Sequence, residues 1–298
     1  MMERLKVPRH NISSVNTPLL LRDRIIPVGK RTYLMGILNV TPDSFSDGGR
    51  YFKREDAIQR VEEMIEEGAD FIDVGGESTR PGAAVVSAEE EIDRLLPVLE
   101  AWQKKTRRAI LSIDTSKSAV ADMALRQGAS LVNDVTALRG DPELAEVVAH
   151  YRAGVVLMHR KGTPRTMQEN PTYEDLLLEI HQFLEARIKE ALRAGIREES
   201  IILDPGIGFG KTPTHNLEIL RGLGALKKMG KTLLVGPSRK SFIGAVLEVP
   251  VEKRLLGTAA AVAISIQNGA DIIRVHDVAE MKQVARMVDA IQRTDEKK

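Results

Sequence analysis

The 298-residue sequence contains no cysteine, which excludes disulfide bonds, thiolate metal sites and a cysteine nucleophile. The absence does not define the compartment, but it fits a cytoplasmic protein. No apolar stretch approaches the roughly 20 residues that a membrane-spanning helix requires, and residues 1–10 lack the apolar segment of a secretory signal. The formal net charge is only +1, so no strong overall field attracts nucleic acid or an anionic membrane. We expect a cytoplasmic protein that binds neither.

A regular alternation of short apolar runs and amphipathic segments fills most of the chain. Short runs without internal alternation are typical of strands buried on both faces of a parallel sheet. Apolar positions spaced three and four residues apart predict helices, several of which end at a glycine. Strands are predicted at residues 33–39, 70–76, 109–115, 131–135, 154–159, 201–205, 232–236 and 271–276, and helices at 54–68, 88–105, 119–127, 142–152, 173–194, 216–229, from 241, 252–268 and 278–293.

Strands that alternate with helices imply a parallel sheet, and eight such units in about 260 residues favour a closed (β/α)8 TIM barrel. The competing arrangement is an open doubly wound sheet, but its glycine fingerprint is absent after the first strand. Two short apolar runs around a polar turn at residues 19–31 predict a hairpin extension before the barrel. We expect residues 1–18 to be a flexible segment and residues 19–298 to form a single barrel domain.

The carboxyl end of every predicted strand carries ionisable or amide side chains. In a barrel these ends meet on one face, where active sites are built. A single aspartate at such a place is more often a turn residue or helix cap, but polar groups at all the apolar strand ends are costly to bury without partners. The joint pattern predicts a binding site formed by Asn39, Asp73 with Glu77, Asp114, Asn133 with Asp134, His159, Asp204, Ser238 with Arg239 and Lys240, and Arg274 with His276.

These side chains fall into two chemical groups. One group supplies carboxylate acceptors and an amide, which suit the edge of a nitrogen-rich heterocycle. The other supplies positive charge or donors, which suit an anion such as a phosphate. A cation at the start of a predicted helix, as at Lys240, opposes the helix macrodipole unless an anion is bound there. The first group is Asp114, Asn133 and Asp204, and the second is Lys240, Arg274 and His276.

Several motifs resemble the signature segments of the dihydropteroate synthase family, which belongs to the wider group of pterin-binding barrels. The two most specific are the segment from Met35 to Gly49 and the segment Asp73-Val-Gly-Gly-Glu-Ser-Thr-Arg-Pro-Gly82. The other matches follow in order along the chain at residues 112–117, 132–134, 158–159, 162–168, 203–211, 236–241 and 274–277. The resemblance therefore runs through the whole predicted barrel.

The resemblance implies a transferase that joins 6-hydroxymethyl-7,8-dihydropterin pyrophosphate to p-aminobenzoate, giving 7,8-dihydropteroate and pyrophosphate in folate biosynthesis. It also implies a homodimer, a Mg2+ cofactor and inhibition by sulfonamides. The expected binding residues share one barrel face: Asp114, Asn133, Asp204 and Lys240 for the pterin ring, Met158 and Phe209 for its faces, Asn39, Arg274 and His276 for pyrophosphate, with Asn39 as the metal ligand, and Thr79, Arg80 and Ser241 for p-aminobenzoate.

No side-chain nucleophile is needed for this reaction. Asp204 and Lys240 are the expected catalytic residues on the barrel, and the carboxylates of Asp204 and Asp114 are expected to favour positive charge that grows on the pterin. The loops after the first two strands are expected to close and exclude water, residues 41–49 forming a mobile lid. Asp43 or Asp47 would act late in that closure.

Three other readings remain open from the sequence. One is a pterin-binding barrel that transfers a methyl group from methyltetrahydrofolate, although the segment from Glu77 to Gly82 favours the synthase. Another is a Schiff-base aldolase with Lys240 or Lys211 as its nucleophile. The last is a pterin-binding relative without catalytic activity, but the chain lacks none of the side chains that the resemblance requires.

Overall fold

The computed structural model describes residues 17–40, 52–78, 86–104, 108–163, 166–167 and 169–292. Of the segment predicted to be flexible, only Thr17 and Pro18 fall within these ranges. The predicted lid at residues 41–49 lies outside them.

Eight parallel strands close into a barrel, as the sequence predicts. In chain order they are β3 (Tyr33–Asn39), β4 (Phe71–Gly75), β5 (Ile110–Asp114), β6 (Leu131–Asp134), β7 (Gly154–Met158), β8 (Ile201–Asp204), β9 (Thr232–Val235) and β10 (Ile272–Val275). Each strand pairs with the next, and β10 pairs with both β9 and β3. Because Ile272 is in register with Tyr33 on one side and Leu234 on the other, the sheet has no free edge, and the open doubly wound alternative is excluded.

A two-stranded antiparallel hairpin precedes the barrel, formed by β1 (Leu19–Leu21) and β2 (Arg24–Ile26). Leu19 and Leu21 are fully buried in the same apolar cluster as Tyr33 and Phe71 at the starts of their strands. The hairpin therefore covers the amino end of the barrel and leaves the carboxyl end, where the polar side chains collect, for binding.

Helices surround the barrel, and most of their limits lie within three residues of the predictions. They are α1 (Phe52–Glu66), α2 (Ala88–Gln103), α3 (Ser118–Arg126), α4 (Leu144–His150), α5 (Leu176–Arg193), α6 (Pro213–Lys227), α7 (Ser241–Leu247), α8 (Leu255–Gln267) and α9 (Val278–Gln292). The larger apolar cluster lies between these helices and the outer face of the sheet. In the described residues, no helix is both long and apolar enough to cross a membrane.

Local hydrogen bonds explain where the predicted helix limits are wrong. The helix predicted from residue 142 begins at Leu144, because the Asp141 carboxylate accepts from the Glu143 N–H and holds a turn there. Helix α6 begins three residues earlier than predicted, at Pro213, because Thr212 caps it and accepts from the His215 N–H. Both helix starts are set by short-range polar contacts, which the spacing of apolar residues does not reveal.

Candidate active site

The polar side chains predicted to share a site meet at the carboxyl ends of the barrel strands. Asp114 is in register with Asn133 on the neighbouring strand, and Met158 is in register with Asp204. Parallel pairing places such residues side by side, because adjacent strands are about 4.8 Å apart. The acceptors predicted for a heterocycle therefore line one barrel mouth.

Arg274 is the centre of a buried ionic network in this mouth. Its Nε donates to Asp73 Oδ2 at 2.7 Å, and its Nη2 donates to Asp114 Oδ2 at 2.8 Å. Asp73 also accepts from Asn133 Nδ2 at 2.8 Å and from Ser112 Oγ at 2.5 Å. One fully buried carboxylate thus orients both an arginine and an amide of the site.

Asp73 is the functional residue to which sequence reasoning assigned no role. The strand-end pattern includes Asp73, but the resemblance assigns it no ligand. The available signal was its position inside an otherwise apolar strand, where an unpaired charge is costly. Lys117 was not singled out either, although its Nζ donates to Glu77 Oε2 at 2.6 Å and to Glu91 Oε2 at 2.5 Å.

The two carboxyl groups expected to bind a heterocycle both have raised pKa values. Burial raises the pKa of Asp114 to about 7; Arg274 opposes the shift and the charge of Asp73 adds to it. Burial also raises the pKa of Asp204, against the effects of the Gly206 N–H, Lys240, Lys211 and Arg274. A donor or cation that approaches either carboxyl group would therefore lower its pKa.

The loop between β8 and α6 forms one wall of the mouth. Its glycines Gly206, Gly208 and Gly210 all have positive φ angles, which other residues rarely adopt. Phe209 is half-buried in this loop, and Lys240 Nζ lies 4.2 Å from the centre of its ring. The expected pterin contacts Phe209 and Lys240 are thus adjacent.

The predicted anion-binding side chains meet at the loops after β9 and β10. The His276 ring nitrogen Nδ1 is 3.0 Å from Ser238 Oγ, and burial together with the nearby Arg274 lowers the pKa of His276 to about 4. His276 is therefore neutral at pH 7 and contributes a hydrogen-bonding group rather than a charge. Ser241 begins α7 and is exposed.

Arg239 fixes the backbone from which Lys240 and Ser241 project. It has a φ of 54°, and its guanidinium makes two hydrogen bonds to Asp277, at 2.9 and 2.6 Å. Its backbone N–H donates to Thr258 Oγ1 at 3.0 Å. These contacts hold Arg239 in a sparsely populated backbone conformation. Such conformations are common at functional sites.

Four predicted site residues lie outside the described part of the chain: Thr79, Arg80, Asp43 and Asp47. The ends of the segment that contains Thr79 and Arg80 are described. The Val86 N–H donates to Glu77 Oε1 at 3.1 Å, and Lys117 holds the other oxygen of the same carboxylate. Glu77 and Val86, on either side of that segment, are thereby joined.

The described residues offer few ligands for a metal ion. No group of three histidine, cysteine, aspartate or glutamate side chains among them is arranged to hold one. Asn39, at the end of β3, is partly buried and presents one amide oxygen. This donor set fits an ion such as Mg2+ that keeps several waters and takes most of its other ligands from a substrate phosphate.

Comparisons with known proteins agree with this geometry. The family model described as pterin binding enzyme matches residues 35–276, from within β3 to just beyond β10. The dihydropteroate synthase of Synechocystis sp. is 48% identical over 277 residues, covering 93% of this chain and 96% of the relative.

Two solved structures have the same fold. The Yersinia pestis dihydropteroate synthase in a sulfonamide drug complex is 44% identical, with a TM-score of 0.87 over 92% of this chain and 99% of the other. The Xanthomonas albilineans enzyme in complex with 7,8-dihydropteroate is 40% identical, with a TM-score of 0.83 over 93% and 99%. The chain belongs to the pterin-binding enzyme family and, within it, to the dihydropteroate synthases, which are transferases of folate synthesis.

Proposed function

We propose that this chain condenses 6-hydroxymethyl-7,8-dihydropterin pyrophosphate with p-aminobenzoate to form 7,8-dihydropteroate and pyrophosphate. The observation that carries the proposal is the convergence of two buried carboxyl groups, Asp114 and Asp204, with Asn133 and Lys240 at one barrel mouth. A pterin edge presents several N–H donors and ring acceptors, and this set of side chains complements both.

Asp114, Asn133, Asp204 and Lys240 bind the pterin edge in this proposal. Met158 and Phe209 lie against the faces of the ring; Met158 is buried beside Asp204, and Phe209 lies on the glycine-rich loop. When the pterin donates to Asp114, it competes with Arg274 for the same carboxylate. Asp73 still holds the Nε of Arg274, so the arginine stays in place beside the leaving group.

Bond making and breaking occur at the methylene carbon attached to the pterin. The amine nitrogen of p-aminobenzoate attacks this carbon, the C–O bond breaks, and pyrophosphate leaves with the electron pair. The nitrogen then loses one proton to solvent. Asp204 stabilises positive charge that grows on the pterin as the C–O bond lengthens, and Lys240 holds the ring beside it.

Arg274 and His276 bind the pyrophosphate, the first through charge and the second as a neutral partner. Asn39, at the end of β3, is the protein ligand for Mg2+ in this proposal. When bound, the ion neutralises part of the charge that develops on the leaving group. Ser241 contributes to the p-aminobenzoate site together with Thr79 and Arg80, and Asp43 or Asp47 acts in closure over the substrates.

We further propose that the protein is a cytoplasmic homodimer and that residues 19–298 act as one pterin-binding domain. Large apolar side chains remain exposed along α7, α8 and the turn between them. Leu256, Ala260 and Ile264 follow one another at four-residue spacing, so they form a stripe on one face of α8. The exposed large side chains in this region are Val246, Leu247, Val251, Leu256 and Ile264.

The proposed function is tested by pyrophosphate release from purified protein. Release is expected only when both substrates are present, to stop when a sulfonamide is added, and to be lost with EDTA and restored by Mg2+. The Asp204→Asn variant is expected to lose most turnover, because an amide no longer offers a negative charge to the pterin. Release from the pterin substrate without p-aminobenzoate, or full turnover by Asp204→Asn, would refute the assignment.

The same preparation separates the other readings. Methyl transfer from methyltetrahydrofolate in place of pyrophosphate release would identify the methyltransferase. Covalent trapping by borohydride with a carbonyl substrate would identify the aldolase. Pterin binding without any turnover would identify the inactive relative.

A further inference from the structure

A buried lysine lies behind the proposed pterin site and has no role in the reaction described above. Lys211 follows the glycine-rich loop between β8 and α6, and only 2% of it is exposed. Its Nζ lies 3.0 Å from the Phe209 carbonyl oxygen, 3.3 Å from the His159 carbonyl oxygen and 3.0 Å from His159 Nδ1. Because an ammonium has three donors, these contacts use its full hydrogen-bonding capacity.

The contacts of Lys211 join two adjacent loops of the barrel mouth. His159 directly follows β7, whereas Phe209 lies in the loop after β8 and lines the proposed pterin pocket. Gly206 permits the close approach: a Cβ atom there would lie 2.0 Å from the His159 carbonyl oxygen and 3.3 Å from Lys211 Nζ. Lys211 therefore lies where the backbone of the loop after β8 contacts the end of β7.

The other side of this junction is held rigidly. The Tyr173 hydroxyl donates to the Gly210 carbonyl oxygen at 2.7 Å. The His159 ring packs edge-on against Phe183 of α5, with ring centres 5.0 Å apart. The contact between these two loops is therefore packed against α5 on its outer side and hydrogen-bonded through Lys211 on its inner side.

Charge also connects Lys211 with the reacting end of the site. Burial lowers the pKa of Lys211 to about 7, the carboxylate of Asp204 opposes that shift and Lys240 adds to it. Asp204 is in turn influenced by Lys240, Lys211 and Arg274, which come from three separate parts of the chain. On the far side, His159 stays neutral, because burial and then Lys211, Arg139 and Lys161 lower its pKa to about 2.

We propose that Lys211 is a positioning residue for the synthase reaction: its ammonium fixes the loops after β7 and β8 and places a positive charge near Asp204 and the pterin. The inference rests on the proposed function, since it assumes that Asp204 and Phe209 contact a pterin. The same geometry argues against Lys211 as a Schiff-base nucleophile, because its Nζ is enclosed and bonded to backbone carbonyls.

The test compares pterin binding by wild type and by Lys211→Met, which keeps an apolar side chain of similar length. Binding of 6-hydroxymethylpterin is followed by calorimetry between pH 5 and pH 8. Loss of a charged hydrogen-bond donor is expected to weaken binding at pH 7 by about 10- to 100-fold. The KM for p-aminobenzoate is expected to change much less than kcat, because that substrate does not contact this junction.

The pH profile separates positioning of a charge from general damage. Below pH 7 Lys211 is protonated in wild type and lowers the pKa of Asp204. Without it, the pH below which pterin binding is lost should rise, because Asp204 loses a nearby positive charge. Lys211→Gln keeps a neutral donor and should recover part of the affinity while retaining the shifted profile.

Lys227→Met is the matched control. Lys227 is also a buried lysine, but it pairs with Asp271 at the amino end of the barrel. Its loss should reduce stability and leave the affinity for pterin and its pH profile unchanged. A wild-type profile in Lys211→Met would overturn the proposal; if that variant does not fold, a wild-type profile in Lys211→Gln would do the same. Failure of wild type to release pyrophosphate would instead refute the proposed function.

Discussion

At the scale of single residues, the buried carboxylate of Asp73 shows how the site is assembled from distant parts of the chain. It binds Arg274, which is 201 positions away, and Asn133, which is 60 positions away. Neither partner is a sequence neighbour, so the network exists only when the barrel is closed. Removal of a charge from such a network leaves its partner buried and less well compensated.

Asp73→Asn is therefore expected to reduce both stability and pterin binding. The free energy of unfolding should fall by about 3 kcal/mol, because Arg274 loses the charge of one of the two carboxyl groups that it pairs with. Urea unfolding followed by circular dichroism measures this change. The control is Glu185→Gln, which removes one partner of the Glu185–Lys189 ion pair, whose side chains are 51% and 61% exposed, and should leave the free energy of unfolding nearly unchanged. Equal effects of the two substitutions would contradict the role of Asp73.

A pH-dependent stability is expected from Asp114. Its pKa lies at about 7 in the folded protein against an ordinary value of 3.8, so the folded state holds a proton that the unfolded state has released. The stabilising contribution is full below about pH 4 and is lost as the pH rises through about 7. The free energy of unfolding of wild type, minus that of Asp114→Asn, should therefore fall over this range by at most about 1.4 kcal/mol per pH unit.

Asp141→Asn provides the control of opposite sign. Burial by itself raises the pKa of Asp141, but hydrogen bonds from Ser118 and Glu143 outweigh burial and lower the pKa below its ordinary value. Its contribution is therefore present above that value and should stay constant as the pH rises from 4 to 8. A wild-type minus Asp114→Asn difference that is equally flat would show that Asp114 is ionised throughout.

At the scale of an element, the loop between β8 and α6 depends on glycine for its shape. Gly206 combines a φ of 71° with the approach to His159 described above. A side chain there meets both backbone strain and a direct clash with a carbonyl oxygen, which cannot move without displacing β7.

Gly206→Ala is expected to cost about 1–3 kcal/mol of stability and to reduce pterin binding strongly, because Asp204 and Phe209 move with the loop. Chemical unfolding and calorimetry measure the two effects. Gly224→Ala is the matched control in α6, where the nearest atom to the added Cβ lies at 4.0 Å and the helical backbone suits alanine. It should be neutral or stabilising by about 0.5–1 kcal/mol. Unaltered pterin binding by Gly206→Ala would show that the loop tolerates displacement.

At the scale of the whole molecule, the exposed apolar stripe on α8 is the feature that a single chain leaves unexplained. Leu256 is 81% exposed, and α7, which carries the exposed Val246 and Leu247, contacts α8. Apolar surface of this kind, gathered in one region, is typical of an interface.

Leu256→Glu is expected to shift the protein from dimer to monomer in sedimentation-velocity experiments at micromolar concentration, because a charge at a packed interface is left without a partner. Leu192→Glu, on the 41% exposed Leu192 of α5, should leave the sedimentation coefficient unchanged. A wild-type protein that sediments as a monomer would refute the homodimer itself, and a dimeric Leu256→Glu would place the interface elsewhere.

The sequence by itself determined the barrel, the side chains at its mouth and the family. Apolar runs that are too short for helices and lack alternation are typical of strands buried on both faces. The glycines that end several helices mark the repeat of the strand–helix unit. Side-chain type then restricts the ligand: acceptors such as Asp114 and Asp204 suit donors on a heterocycle, whatever their distance along the chain.

Only the tertiary structure decided which of these groups touch and what charge they carry. The pairing of Arg274 with Asp73 and Asp114 follows from strand order and register. The neutral state of His276 and the tuned charge of Lys211 follow from burial and from neighbours on other strands. Because pKa values depend on solvent exclusion and on distances of a few ångströms, sequence spacing carries too little information to set them.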